Sequence, residues 1–268
     1  MPQVARGLEG VVAGTTALSF IDGRAGRLLY CGYDIRDLAE HATFEEVCFL
    51  LWHGRLPRRL ELAALRDELA TLRHLPRPLA DLLADLPKTL GPLEALRTVL
   101  SPLLAFEERP QDTSPEANLR RAKWLTALAG TVVAAFHRLR RSREPVPPDP
   151  GLPHAANFLY MLTGEPPTPL AQRAMDVYFV LLADHGYNAS TFTARVIAST
   201  LSDMVSAVCG AIGALKGPLH GGAAQWTMEM LLEIGSLENV EPYIRRLFAE
   251  HRRVPGFGHR VYKTEDPR

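Results

Sequence analysis

The apolar residues of this chain recur mainly at helical spacing. Leu62, Leu65, Leu69 and Leu72 step 3-4-3 along the sequence, which stacks them on one helix face and predicts that this face is buried. Ahead of them, Thr43 with Glu46 three residues later makes a capping-box pattern before Val47, Phe49, Leu50 and Leu51. Helical patterning is expected from Tyr33 onward. Ser114 before Pro115 marks another start, and the stretch to about Arg143 reads as one long helix. Further helices are predicted near 153–163, 168–184, 190–215, 221–234 and 238–253, the third broken near Asp203.

Two short apolar runs, Ala17–Ile21 and Arg27–Cys31, flank Asp22-Gly23-Arg24-Ala25-Gly26 and read as a β-hairpin. No second run of strand-like alternation follows. The pattern therefore predicts a mainly α fold of packed helices with one N-terminal hairpin, not an α/β nucleotide-binding sheet. Pro145 to Pro153 cannot continue a helix and reads as a stiff connector, which need not separate domains. Arg138, Arg140, Arg141 and Arg143 crowd the end of the long helix, where cations complement the dipole; they are read as structural.

With 268 residues, 47% of them hydrophobic, the chain can fill one large core or two smaller ones. Thirty basic residues balance thirty acidic ones, so no global field favours nucleic acid or an anionic membrane, and an anionic ligand needs a local cluster. The first residues lack a basic-then-apolar leader pattern, and no apolar run reaches the ~18 residues of a membrane span. A cytoplasmic location is expected, with neither nucleic acid nor membrane as partner. Cys31, Cys48 and Cys209 are widely separated among apolar neighbours and read as reduced core thiols.

Candidate chemistry concentrates in the second half. His185, His220 and His259 each stand beside glycine, in Asp-His-Gly-Tyr-Asn, Pro-Leu-His-Gly-Gly and Gly-Phe-Gly-His-Arg, which suits a cleft wall better than a helix interior. They lie 35 and 39 residues apart, without the short His-x-x-x-His spacing typical of zinc sites, so no metal is expected. No Gly-x-Ser-x-Gly elbow supports a serine hydrolase. Pro255-Gly256-Phe257-Gly258 is neither a P-loop nor a Rossmann fingerprint, yet its amides with Arg260 and Lys263 could hold part of a phosphorylated ligand. His41, His53, His74, His137, His154 and His251 are read as ordinary surface or core residues.

Taken together, three segments carry a specific likeness: 184–193 (Asp-His-Gly-Tyr-Asn-Ala-Ser-Thr-Phe-Thr), 215–223 (Leu-Lys-Gly-Pro-Leu-His-Gly-Gly-Ala) and 255–263 (Pro-Gly-Phe-Gly-His-Arg-Val-Tyr-Lys), closed by Asp266-Pro267-Arg268. In order and spacing they resemble the citrate synthase family. The likeness extends upstream through Gly7–Val11, the Ile21-Asp22-Gly23 hairpin, Leu51–Pro57 and His154–Met161, nearly the whole chain. It implies a multi-helix large domain over 1–220 and the start of a smaller CoA-binding helical domain over 221–268. It also implies a homodimer.

The activity implied is condensation of acetyl-CoA with oxaloacetate to citrate and CoA, followed by thioester hydrolysis, with no metal or permanently bound cofactor; the CoA thioester is a co-substrate. By position, His220 is expected to donate a hydrogen bond to the developing enol oxygen as a neutral imidazole oriented by Ser190, and His259 to polarise the ketone. His185, Asn188 and Arg268 are expected to hold oxaloacetate, Arg268 through its bidentate fork. The loop with Val254, Gly256 and Gly258 is expected at the CoA adenine and Lys263 near a phosphate.

Two departures temper the likeness. The family base is an aspartate well beyond Asp-Pro-Arg, and Asp184, Asp203 and Asp266 stand in motifs where it does not lie, so the sequence reads as a partial chain of such an enzyme. Ala224-Gln225 replaces the Asn-Glu common in close relatives, leaving 2-methylcitrate synthesis from propionyl-CoA as an alternative. A non-catalytic regulatory or interaction protein of the same fold is the other alternative.

Overall fold

The computed structural model describes residues 14–217, 220–257 and 261–268, with only the backbone described at Ala223 and Ala224. Among these residues it contains twelve α-helices and one three-stranded antiparallel sheet. The expected mainly α class holds. The motif portions Gly7–Val11 and Pro218–Leu219 lie outside the described residues.

Strand β1 (Ser19–Asp22) pairs with β2 (Arg27–Tyr30), and Asp22 Oδ1 accepts from the amides of Arg24 and Ala25 to close the turn. The hairpin is larger than the sequence predicts. Cys31 and Gly32 both adopt positive φ (47° and 90°), the two-residue turn geometry that matches strand twist. It sends Tyr33–Asp34 back along β2 as β3. Helical structure therefore begins not at Tyr33 but at α1 (Ile35–His41), capped by Asp34.

Local signals explain most of the remaining boundaries. Thr43 and Glu46 form the expected capping box of α2 (Phe44–His53), which ends on Gly54 in the left-handed region. Three helices follow: α3 (Arg59–Leu72), α4 (Arg77–Asp85) and α5 (Pro92–Leu100). Ser114 caps α6 (Pro115–Leu139), which stops four residues short of Arg143. Arg138 there bonds the carbonyls of Glu144 and Thr163, and Arg140 that of Lys88, so these cations fasten the helix end to its neighbours.

The connector that follows is held against the core, because buried Arg73 donates to the Leu152 carbonyl (2.8 Å). Beyond it come α7 (His154–Thr163) and α8 (Pro169–Leu182). Asn188 caps α9 (Ala189–Ser199) and Asp203 caps α10 (Met204–Leu215), which gives the predicted break a physical cause. Finally α11 (Gly222–Ile234) and α12 (Val240–Ala249) close the series. The last helix is shorter than the 238–253 expectation; a 3₁₀ turn, Leu237–Asn239, precedes it.

The largest core cluster joins α4, α5, α6 and α10 through residues such as Leu83, Val99, Leu128, Phe136 and Ile212. Each such side chain contributes about 1.5–3 kcal/mol through burial. A second cluster joins the sheet to α1, α2 and α8 through Leu28, Tyr30, Ile35, Leu50 and Val180. Cys48 is buried, whereas Cys31 and Cys209 are half-buried at the edges of these clusters; all three are free thiols. That corrects the expectation of three core cysteines. Among the described residues no helix is long and apolar enough to cross a membrane.

Candidate active-site cleft

A cleft of about 1270 Å³ opens where α11, the loop after α12 and the last residues meet. His220, Trp226, Val254, Gly256, Tyr262 and Arg268 line it. Four of the residues singled out by sequence, His220, Val254, Gly256 and Arg268, are thus brought together. His259 and Gly258, with Arg260, lie outside the described residues.

His220 stands immediately before α11. Its amide donates to the Gly217 carbonyl (2.9 Å), and the Gly221 amide donates to the Leu215 carbonyl (3.0 Å). A methyl group on Gly221 would come within 2.3 Å of that same oxygen, so the turn closes only without a side chain there. Nε2 of His220 lies 2.5 Å from the Ser190 hydroxyl on the first turn of α9. The histidine is therefore held at a helix N-terminus and buttressed by a second helix, the place where fixed dipoles bear on an imidazole.

Gly256 sits at φ +80°, with Thr227 of α11 against its Cα. A side chain there would be strained and would collide with Thr227, so glycine brings the 254–257 loop onto α11 and shapes the cleft wall. Arg252 and Arg253 also line this end.

Arg268 directs its fork at the Asp266 carboxylate, Nε to Oδ1 at 3.0 Å and Nη2 to Oδ2 at 2.7 Å. This pairing raises the guanidinium further above its ordinary range despite partial burial. An incoming carboxylate would find the arginine pre-aimed but already paired, and would compete with Asp266 for it.

His185 is not a cleft-lining residue. It reaches the wall through Tyr262, whose hydroxyl lies 2.9 Å from Nε2. The loop carrying it is held from the sheet side, because the Tyr30 hydroxyl donates to the Asp184 carbonyl (2.8 Å). Burial pushes that phenol up to about 12, so it stays protonated. Asn188 spends its side-chain oxygen on the Thr191 amide as the cap of α9 (3.0 Å). Lys263 is exposed and off the cleft lining, and its amide is pinned to the Gly23 carbonyl (2.7 Å).

Sequence reasoning missed Tyr30, Tyr262 and the Asp266 partner of Arg268. Tyr262 stands inside a motif that pointed to its histidine, but nothing in the spacing joins it to His185. Of the three aspartates weighed from the sequence, only Asp266 lines the cleft, where it holds Arg268; Asp184 Oδ1 accepts from the Gly186 amide and Asp203 caps α10. Among the described residues no cluster of three or more His, Cys, Asp and Glu side chains could hold a metal ion.

Comparison with known proteins agrees with the motifs. The family model for the citrate synthase C-terminal domain matches residues 7–268. A citrate synthase of Haloferax volcanii is 49% identical over 99% of this chain and 72% of its own length. A 2-methylcitrate synthase of Mycobacterium tuberculosis is 43% identical over 100% of this chain and 67% of its own. The structure of Thermoplasma acidophilum citrate synthase, in ternary complex with carboxymethyl coenzyme A and oxaloacetate, superposes with a TM-score of 0.90 at 31% identity, covering 99% of this chain and 70% of that one. Motifs, helical architecture and whole-chain likeness converge, and the chain belongs to the citrate synthase family.

Proposed function

We propose that this chain supplies the oxaloacetate and CoA-thioester sites of a condensing enzyme that joins acetyl-CoA to oxaloacetate and releases citrate and CoA. One observation carries the reading: His220, buttressed by Ser190, shares a single cleft with Arg268 and the Gly256 loop. It is supported by the Thermoplasma relative, whose complex holds oxaloacetate and a carboxymethyl derivative of coenzyme A.

In this reading the Ser190 hydroxyl donates to Nε2 of His220, leaving the ring proton on Nδ1 to be donated to the thioester carbonyl oxygen. That hydrogen bond stabilises the enol as a carboxylate base takes the methyl proton. The enol carbon then attacks the ketone carbon of oxaloacetate, whose oxygen His259 polarises. The ketone oxygen gains a proton, and water cleaves the citryl thioester to citrate and CoA. Arg268 exchanges Asp266 for a substrate carboxylate and His185 assists it, while the 254–257 loop and Lys263 serve the CoA nucleotide. No permanently bound cofactor and no metal enters these steps.

Asp184, Asp203 and Asp266 are assigned no proton abstraction, because none stands at the motif position of the family base. Activity is assayed on the full gene product. Release of CoA with both acetyl-CoA and oxaloacetate, and with neither alone, is the expected result; no release would refute the reading. The 2-methylcitrate synthase relative favours a second acyl group, propionyl. Side-by-side rates decide between them, with acetyl-CoA expected to be faster.

The domain division is placed at 220/221. In support, Met230, Ile234 and Leu247 of α11 and α12 are buried outside the three core clusters. A homodimer is proposed, with a second copy covering α8 and α9: α9 has no fully buried residue, and Leu182 and Val196 are about half exposed. Sedimentation of the protein and of Val196→Glu tests this, a dimer and a monomer being expected.

A further inference from the structure

We propose that Tyr262 is the positioning residue for His185: its hydroxyl donates to Nε2 of the imidazole and so fixes the ring proton on Nδ1. The proposal rests on the reading above for its ligand, a keto-dicarboxylate whose carboxylate is met by a neutral N–H donor.

The contact has the geometry of a built pair. The hydroxyl is 2.9 Å from Nε2, the two rings meet edge to face at 5.6 Å and 67°, and Tyr262 is 6% exposed. Between a phenol and an imidazole, the ring nitrogen is the better base, so the O–H donates and Nε2 accepts. The opposite tautomer would reverse the bond, with Nε2–H donating to the phenol oxygen and the hydroxyl proton turned to another acceptor.

Both partners are fixed by the N-terminal sheet. On one side Tyr30, in β2, grips the backbone of the His185 loop through the Asp184 carbonyl. On the other, the segment bearing Tyr262 is docked on the β1–β2 turn. The Lys263 amide donates to the Gly23 carbonyl (2.7 Å), and Arg36 pairs with Glu265 (2.6 Å). A methyl group on Gly23 would stand 2.2 Å from the Val261 carbonyl oxygen, so this turn accepts the segment only because Gly23 lacks one. The sheet thus acts as a jig that sets two residues 77 positions apart against each other, and holds a histidine ring by its far nitrogen in the way outer partners orient ligating histidines.

Two readouts test the assignment. In protein labelled with ¹⁵N-histidine, with the His185 signals assigned by their loss in His185→Gln, long-range ¹H–¹⁵N correlations report which nitrogen carries the proton. The expected result is the Nδ1–H tautomer in the unsubstituted protein. An Nε2–H tautomer there overturns the proposal. In Tyr262→Phe, which keeps the ring contact and removes only the hydroxyl, the signature should become a tautomer mixture. The dissociation constant for oxaloacetate should rise about fivefold to tenfold, with kcat changed less than about twofold. An unchanged tautomer with unchanged affinity overturns it as well. If neither protein binds oxaloacetate, the functional reading fails, while the tautomer still decides the role of Tyr262.

Discussion

The Ser190 hydroxyl, on α9, lies 2.5 Å from Nε2 of His220, thirty positions away in the turn ahead of α11. This pairing gives the histidine a fixed orientation at the N-terminus of α11. Its expected consequence is unequal loss on substitution. His220→Ala should lower kcat by at least about 10²-fold while leaving oxaloacetate affinity nearly unchanged, since the lost donor acts on the enol oxygen. Ser190→Ala should cost about tenfold in kcat, the scale of one hydrogen bond. Steady-state kinetics on both variants check this, and an effect confined to KM would count against the assignment.

Arg268 makes the opposite prediction. Removing its fork in Arg268→Ala should raise KM for oxaloacetate by roughly 10- to 100-fold, the range of a lost charge-assisted hydrogen bond, with a smaller change in kcat. Asp266→Asn removes the competitor carboxylate while preserving shape, and should not imitate Arg268→Ala. Initial-rate titrations with oxaloacetate distinguish the two.

Gly23→Ala should act at a distance from the cleft. Its methyl group would meet the Val261 carbonyl oxygen at 2.2 Å, and the displaced backbone should cost about 1–3 kcal/mol, as overpacking does. Because this contact seats the 261–268 segment, oxaloacetate affinity should fall together with stability. Urea unfolding read alongside ligand titration checks the coupling; a stability loss without an affinity loss would separate the turn from the site.

Acid sensitivity should come in part from His154. Burial, with the Arg73 charge second, drives its pKa down to about 3. A folded value below the ordinary one near 6.5 means that the unfolded chain binds the proton more readily. The contribution to stability is therefore complete above about pH 6.5 and is lost as pH falls from there towards 3. Between pH 7 and pH 5 this amounts to about 2 kcal/mol. His154→Phe keeps a ring against Phe44 and Phe179 and should flatten that part of the profile, measured as urea midpoints across the interval.

Much of this fold is written locally in the sequence. The Thr43–Glu46 box, the Asp203 cap and the 3-4-3 leucines each act within a turn or two of chain, and the helices form where those signals stand. The third strand was invisible because it depends on Cys31 adopting a left-handed conformation, which a cysteine does not advertise. At the site, local motifs marked His220, Arg268 and the Gly256 loop, and Ser190 was paired with His220 through resemblance. The Tyr262–His185 and Asp266–Arg268 pairings have no comparable signal. The first depends on packing across 77 residues, and the second on which rotamers the folded segment permits. Asn188 illustrates the converse, a residue flagged for a ligand whose oxygen caps a helix.

The central claim is that one cleft holds oxaloacetate through Arg268 and then a CoA thioester beside His220. Calorimetric titration with oxaloacetate, followed by carboxymethyl-CoA, tests it most directly. The account predicts saturable binding of oxaloacetate that is lost in Arg268→Ala, and binding of the CoA derivative once oxaloacetate is present. Failure to bind oxaloacetate, or binding that Arg268→Ala leaves unchanged, would contradict it.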